Sequence, residues 1–239
     1  MKSRTPLRWE FNLTDTMLWR RMGAEFIGAY AIVVAGCGAI MVNAQTGALT
    51  HAGIALTFGF IVMVMIAASG HISGAHFNPA VTIAFALTKH FRWREVPLYA
   101  AAQVAGASAG AATLRLLIGD VANLGATLPS GTVWQAFGIE LLLTGCLMFV
   151  ILSVATDGKA ASHLASVAIG ATVALDALWG GPLTGASMNP ARSFGPALLS
   201  GNWRDHWIYW AAPILGAALG AILYQAIREP HLAMKGSES

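Results

Sequence analysis

The sequence predicts an all-α membrane protein with six transmembrane helices and two half-length helices, arranged as an inverted 3+3 repeat. Three observations carry this. Hydrophobic residues make up 56% of the chain and charged residues only 10%, whereas a soluble domain is about one quarter charged. Six apolar stretches are long enough to cross roughly 30 Å of hydrocarbon, which takes about 20 helical residues. A ten-residue stretch also occurs twice, SGAHFNPAVT at 73–82 and TGASMNPARS at 184–193, placing Asn78 and Asn189 111 residues apart.

The elements follow in order. Residues 1–21 form a polar N-terminal segment with Lys2, Arg4, Arg8, Arg20 and Arg21. Glu10 and Asp15 argue against an acid-poor transit peptide, and no cleavable signal is legible before the first long apolar run, which is predicted to be an uncleaved anchor. The predicted spans are 22–42, 50–70, 95–118, 132–155, 162–180 and 205–227, and residues 229–239 form a C-terminal tail. Within them lies one domain, 22–228, built of repeats at about 22–118 and 132–228. Each doubled motif begins a helix, because Asn caps helix N-termini and Pro79 or Pro190 loses nothing at the first helical position. Residues 78–89 would make only about 18 Å of helix, too short to cross. Paired half-helices at matching points of a duplicated membrane protein mark a site near the bilayer centre.

An even number of spans puts both termini on one side. With that side cytoplasmic, eleven of the fourteen lysines and arginines face inward, leaving Arg115, Arg192 and Arg204 on or towards the outside. The positive-inside rule therefore predicts cytoplasmic termini in a multi-pass protein of the plasma, or cell inner, membrane. The two halves share more than the motif. Glu25 and Glu140 open the first and fourth spans, and Gly106/Gly110 and Gly216/Gly220 recur at an offset of 110 residues. Glycines four apart let helices approach closely in lipid. Three spans per half is an odd number, so the second half enters the membrane inverted.

Inversion brings the two half-helices in from opposite faces, with their positive N-terminal ends meeting. Asn78 and Asn189 supply amide donors there. The irregular segments before them cannot expose bare carbonyls to lipid, so they must line protein or a water-filled cavity. Carbonyls of Gly74, Ala75, His76, Phe77, Gly185, Ser187 and Met188 leading to two amide donors suit a small neutral polar molecule. The helix ends oppose cations, and a central water held by donors on both sides cannot relay protons. No nucleophile–base pair or metal-ligand spacing recurs, so neither an enzyme nor a cofactor is expected, and no nucleic-acid partner. Cys37 and Cys146 lie in apolar spans and imply no disulfide framework.

The motifs GHISGAHFNPAVT and GPLTGASMNPARSFGPAL resemble the two signatures of the aquaporin, or major intrinsic protein, family. The second is most similar to the version in plant nodulin-like members and their bacterial relatives. The resemblance spans roughly residues 22–228 and implies an hourglass pore in each subunit of a homotetramer embedded in the lipid bilayer. It further implies that Asn78-Pro79-Ala80 and Asn189-Pro190-Ala191 are the central motifs. The outer selectivity filter would be Phe58, Ala177, Ala186 and Arg192, and Glu25 and Glu140 would support the re-entrant loops. His76 matches a vestibule histidine and reads as a satisfied loop residue in preference to a pH gate. Asp176, where nodulin-like members carry an uncharged amide, reads as a partnered structural acid about one turn from the outer end of its span. Ser193, Ala197, Tyr209 and Trp210 match the water-selective subgroup, whereas Ala177 stands where a strict water filter has histidine. Pore width and lining donors decide selectivity. The expectation is thus a passive channel for water and small uncharged solutes such as glycerol, urea, ammonia, hydrogen peroxide or metalloid acids, excluding ions and protons. The alternatives are a strict water channel, a secondary carrier and a closed-pore structural homologue. With Ala186 at the usual mercurial site, and both cysteines expected to lie away from the filter, mercurial inhibition should be weak.

Overall fold

The computed structural model describes residues 16–158 and 160–228, so Lys2, Arg4, Arg8, Glu10, Asp15, Lys159, Lys235 and the 229–239 tail lie outside the described residues. The first span is continuous from α1 (Thr16–Ile32) through a π-turn (Val33–Cys37) into α2 (Gly38–Thr46). The remaining spans are α3 (Thr50–Ser73), α5 (Val96–Ile118), α6 (Val133–Thr156), α7 (Ala165–Thr184) and α9 (Ile208–Ile227), and the half-helices are α4 (Pro79–Leu87) and α8 (Pro190–Ser200). Among the described residues, six helices are long and apolar enough to cross a membrane. Leu116, Ile222 and Leu223 on their outer faces are exposed, as are the belt residues Trp19, Trp134 and Trp207. Lipid explains both patterns, since tryptophan concentrates at membrane–water interfaces.

Several boundaries differ from the sequence expectation by a few residues, and two of the differences have a visible cause. The first helix begins by residue 16, not 22, because the span accommodates a charge: Arg21 Nη1 meets Glu95 at 2.6 Å and its Nε donates to the Tyr99 hydroxyl at 2.8 Å. The fifth span runs on to Thr184 through Pro182, which removes the N–H that the Leu178 carbonyl would otherwise accept. His51 Nε2, from the start of α3, donates to that carbonyl at 2.7 Å. A carbonyl can only accept, so this ring nitrogen carries hydrogen.

The repeat is visible in the packing. α5 lies against α1 and α9 against α6. A methyl on Gly106 would strike the Phe26 carbonyl, and one on Gly216 the Leu141 carbonyl. Gly59 and Gly170, 111 residues apart, face each other's carbonyls where α3 crosses α7. Each half-helix nests in the opposite half, α4 against α9 and α8 against α5. Without a hydrophobic driving force between helices in lipid, such close backbone approach is what holds the bundle.

Candidate functional site

The loops entering the half-helices are built twice on one plan. Gly74 and Gly185, both at φ +87°, end α3 and α7 in the left-handed conformation. Ala75 and Phe77 (φ +49° and +51°) and Ala186 and Met188 (φ +42° and +53°) follow in the same region. Left-handed backbone costs a residue with a side chain about 1–2 kcal/mol, so something must hold it. Two buried carboxylates do. Glu25 accepts from Ser73 Oγ (2.7 Å), His76 N (3.0 Å), Phe77 N (2.6 Å) and Gln103 Nε2 (2.7 Å). Glu140 accepts from Thr184 Oγ1 (2.7 Å), Ser187 N (2.8 Å) and Met188 N (2.8 Å). Hydrogen bonds to a charged acceptor contribute about 1.5–3 kcal/mol each, enough to offset the strain. Two tyrosines complete the frame: Tyr99 and Tyr209 donate to the carbonyls of Ser73 (2.9 Å) and Thr184 (2.7 Å).

Each asparagine has two tasks. Its side-chain oxygen caps its own helix, Asn78 Oδ1 accepting from Ala80 N at 2.9 Å and Asn189 Oδ1 from Ala191 N and Arg192 N. Its amide crosses to the other half: Asn78 Nδ2 donates to the Met188 carbonyl (2.7 Å) and Asn189 Nδ2 to the Phe77 carbonyl (2.9 Å). An amide NH₂ has two hydrogens, so one remains for the cavity. Pro79, Ala80, Pro190 and Ala191 are buried behind the wall.

A cavity of about 120 Å³ runs past both asparagines. Its wall includes Phe58, Ala177, Ala186 and Arg192, together with Gly74, Ala75, His76, Phe77, Ser187 and Met188. Gly185 is not part of that wall. Apart from Phe85 the rest is aliphatic, with Ile66, Val81, Leu147, Ile151, Ile169 and Val173 among it. Arg192 is buried and lies over the Phe58 ring, Cζ 4.9 Å from its centroid. Its Nη1 donates to the Gly125 carbonyl at 2.8 Å, while Nε and Nη2 meet no acceptor among the described residues. Two guanidinium donors beside two alanine methyls can bind a polar neutral group of modest size. The other far-side cations are likewise tied to backbone carbonyls, Arg115 to Leu199 and Arg204 to Pro129.

The remaining sequence-predicted residues fall as follows. His76 is satisfied in place, Nδ1 3.1 Å from Thr82 Oγ1, with its ring stacked on Phe85 and edge-on to Phe91. Ser193 bonds Thr127 and Ser187 hydroxyls, Tyr209 bonds Thr184, Trp210 bonds His206, and with Ala197 all stand outside the cavity wall. Two expectations need correction. Asp176 is no partnered acid one turn from its helix end: it is buried, eight residues before Thr184, and its Oδ2 has no hydrogen-bond partner among the described residues. Its helix face turns inward, away from interfacial cations. Cys37 is not remote from the arginine, because its thiol donates to the same Gly125 carbonyl at 3.8 Å. The connection between α5 and α6 folds back to bring that carbonyl there. Gly125, Thr127 and Gln103 escaped the sequence reading. The 110-residue offset that pairs Gly106 with Gly216 also pairs Tyr99 with Tyr209, and would have found the tyrosines.

Six spans and two half-helices meeting end to end around a polar-tipped, apolar-walled cavity define a pore-forming membrane protein. Residues 12–224 match the profile described as Major intrinsic protein, and the chain belongs to that family. It is 51% identical over 207 residues to aquaporin NIP1-1 of Oryza sativa subsp. japonica, covering 86% of this chain and 73% of the relative. It is 45% identical over 219 residues to nodulin-26 of Glycine max, covering 91% and 81%. Its fold is similar to the X-ray structure of the aquaglyceroporin from Plasmodium falciparum, with TM-score 0.81, 29% identity, and coverage of 88% and 96%.

Proposed function

We propose that this chain is a passive channel for water and small uncharged solutes, of the size of glycerol or urea, that excludes ions and protons. Phe58, Ala177, Ala186 and Arg192 form its constriction, Asn78 and Asn189 its central donors, and the loop carbonyls its acceptor track. The observation that carries the solute range is the pair of methyls, Ala177 and Ala186, on the cavity wall that Phe58 and Arg192 share. An imidazole at 177 would fill that space. The markers of the water-selective subgroup, Ser193, Ala197 and Tyr209, stand off the wall in structural contacts and so do not argue for a narrow filter. The same reading makes residues 22–228 one channel domain in a homotetramer, in the cell inner or plasma membrane with cytoplasmic termini. The aquaporin and aquaglyceroporin names of similar proteins support it.

Stopped-flow shrinkage of reconstituted vesicles tests this, with water first, then glycerol and urea. Both water and glycerol fluxes should exceed protein-free controls. Water flux with glycerol at background would make the chain a plain water channel. Trans-stimulated counterflow would make it a carrier, and no osmotic flux at all would indicate a closed scaffold.

A further inference from the structure

The first span departs from α-helix at one place only among the described residues, the π-turn at Val33–Cys37. Such turns recur at functional sites, because they re-aim the residues around them at some cost in helix geometry. Here the turn faces the constriction from behind. Gly36 abuts Phe58, and a β-carbon built on it would overlap three atoms of the phenyl ring. Cys37, the next residue, touches Gly125, whose carbonyl holds Arg192.

We infer that the Val33–Cys37 π-turn sets the width of the constriction, with Gly36 a positioning residue that holds the Phe58 ring back from the pore. The inference rests on the reading of Phe58 and Arg192 as the constriction. The second half supplies an internal control. A shift of 115 residues, which carries Glu25 onto Glu140, carries Gly36 onto Ile151, and the 111-residue shift carries Phe58 onto Ile169. α6 is uninterrupted at that point, and Ile151 itself lines the cavity. The glycine and the π-turn therefore occur in the half that must seat an aromatic ring. The ring has Gly36 against it and the Arg192 guanidinium over its face, and it lines the cavity. A methyl at position 36 would drive it into the aperture.

The test is the glycerol-to-water permeability ratio in proteoliposomes for Gly36→Ala, Phe58→Ala and the double variant. Gly36→Ala should lower the ratio by about fivefold or more, since aperture width decides which solute passes. Phe58→Ala should raise it, and the double variant should match Phe58→Ala within about twofold, because no ring remains to be displaced. A Gly36→Ala ratio equal to wild type, or the same fractional fall with and without the ring, overturns the inference. Should Gly36→Ala alone fail to assemble, the double variant must recover water flux, and failure to do so shows a packing requirement unrelated to Phe58. An unchanged ratio in Phe58→Ala would instead overturn the constriction reading itself, and the inference with it.

Discussion

Four positions recur in each half of the molecule. Phe58, Ala177, Ala186 and Arg192 are carried by a shift of 111 residues onto Ile169, Ile66, Ala75 and Val81, and all eight line the same cavity. The first set holds a phenyl ring and a guanidinium with two free donors, whereas the second holds only aliphatic side chains. The frame behind them is shared: carboxylate, tyrosine, left-handed loop and capping asparagine occur in both. Duplication thus preserved what bends the backbone and let the wall diverge, and under the proposed function selection falls to the end that carries Phe58 and Arg192. The frame itself differs at one point. Gln103 stands against Glu25, while its counterpart is Pro213, and around Glu140 the Ser187, Ser193 and Thr127 hydroxyls form the local network.

The largest expected effect probes that last difference. In Glu140→Gln the new NH₂ would meet the Met188 N–H with no acceptor nearby, an orphaned pair costing about 2–4 kcal/mol. In Glu25→Gln the Gln103 amide, whose Oε1 is unpartnered, can flip and accept. Glu25→Gln should therefore retain about 1 kcal/mol more stability than Glu140→Gln, read as the higher melting midpoint in detergent. Equal losses would show that Gln103 does not distinguish the halves.

Arg192→Val makes the selective quartet resemble the other. Proton or cation leak, followed by a pH-sensitive dye, should rise about tenfold while water flux stays within about threefold, since a fixed charge is the main barrier to cations. Unchanged leak would move ion exclusion to the asparagines and helix ends. Ala177→His should cut glycerol flux about tenfold and spare most water flux, whereas Ile66→His, its counterpart, should change the glycerol-to-water ratio less than about twofold. Equal effects would mean that both quartets select. The smallest effect is expected from Tyr209→Phe, which loses its hydrogen bond to the Thr184 carbonyl and about 1 kcal/mol without altering selectivity; Tyr99→Phe also loses the bond accepted from Arg21 and should cost more.

Much of this was legible in the residues. Two Asn-Pro-Ala motifs, six apolar runs and the odd number of spans per half were enough for the inverted fold, and Glu25 and Glu140 stand where the repeat places them. What escaped depends on contacts between distant segments. Val33-Val34-Ala35-Gly36-Cys37 has the pattern of any apolar helix, and nothing local marks it as a π-turn. Gly125 and Thr127 lie in a connection without periodicity, and their reach to Arg192 and Ser193 exists only once that connection folds back. The proximity of Cys37 to Arg192 was missed for the same reason. It changes an expectation: whatever mercurial inhibition the wild type shows should vanish in Cys37→Ser, while Ala186→Cys should be strongly blocked. Gly-Gly-Pro at 180–182 looked like a helix end because the rescuing donor, His51, lies 127 residues away from Leu178.

The crossed asparagine amides also bear on the order in which the chain can be assembled during synthesis. Asn78 needs the Met188 carbonyl, the Phe77 carbonyl needs Asn189, and α4 rests against α9, the last of the described helices to emerge. When the first three spans have entered the bilayer, their half-helix has α5 on one side but lacks α9, and its loop lacks its cross-partner. The nascent first half must therefore keep that segment at the aqueous surface, or shelter it in the insertion machinery, until α9 arrives. A chain cut after α6 would leave it accessible to water-soluble thiol reagents at an introduced Ala80→Cys, a site fully buried in the complete protein.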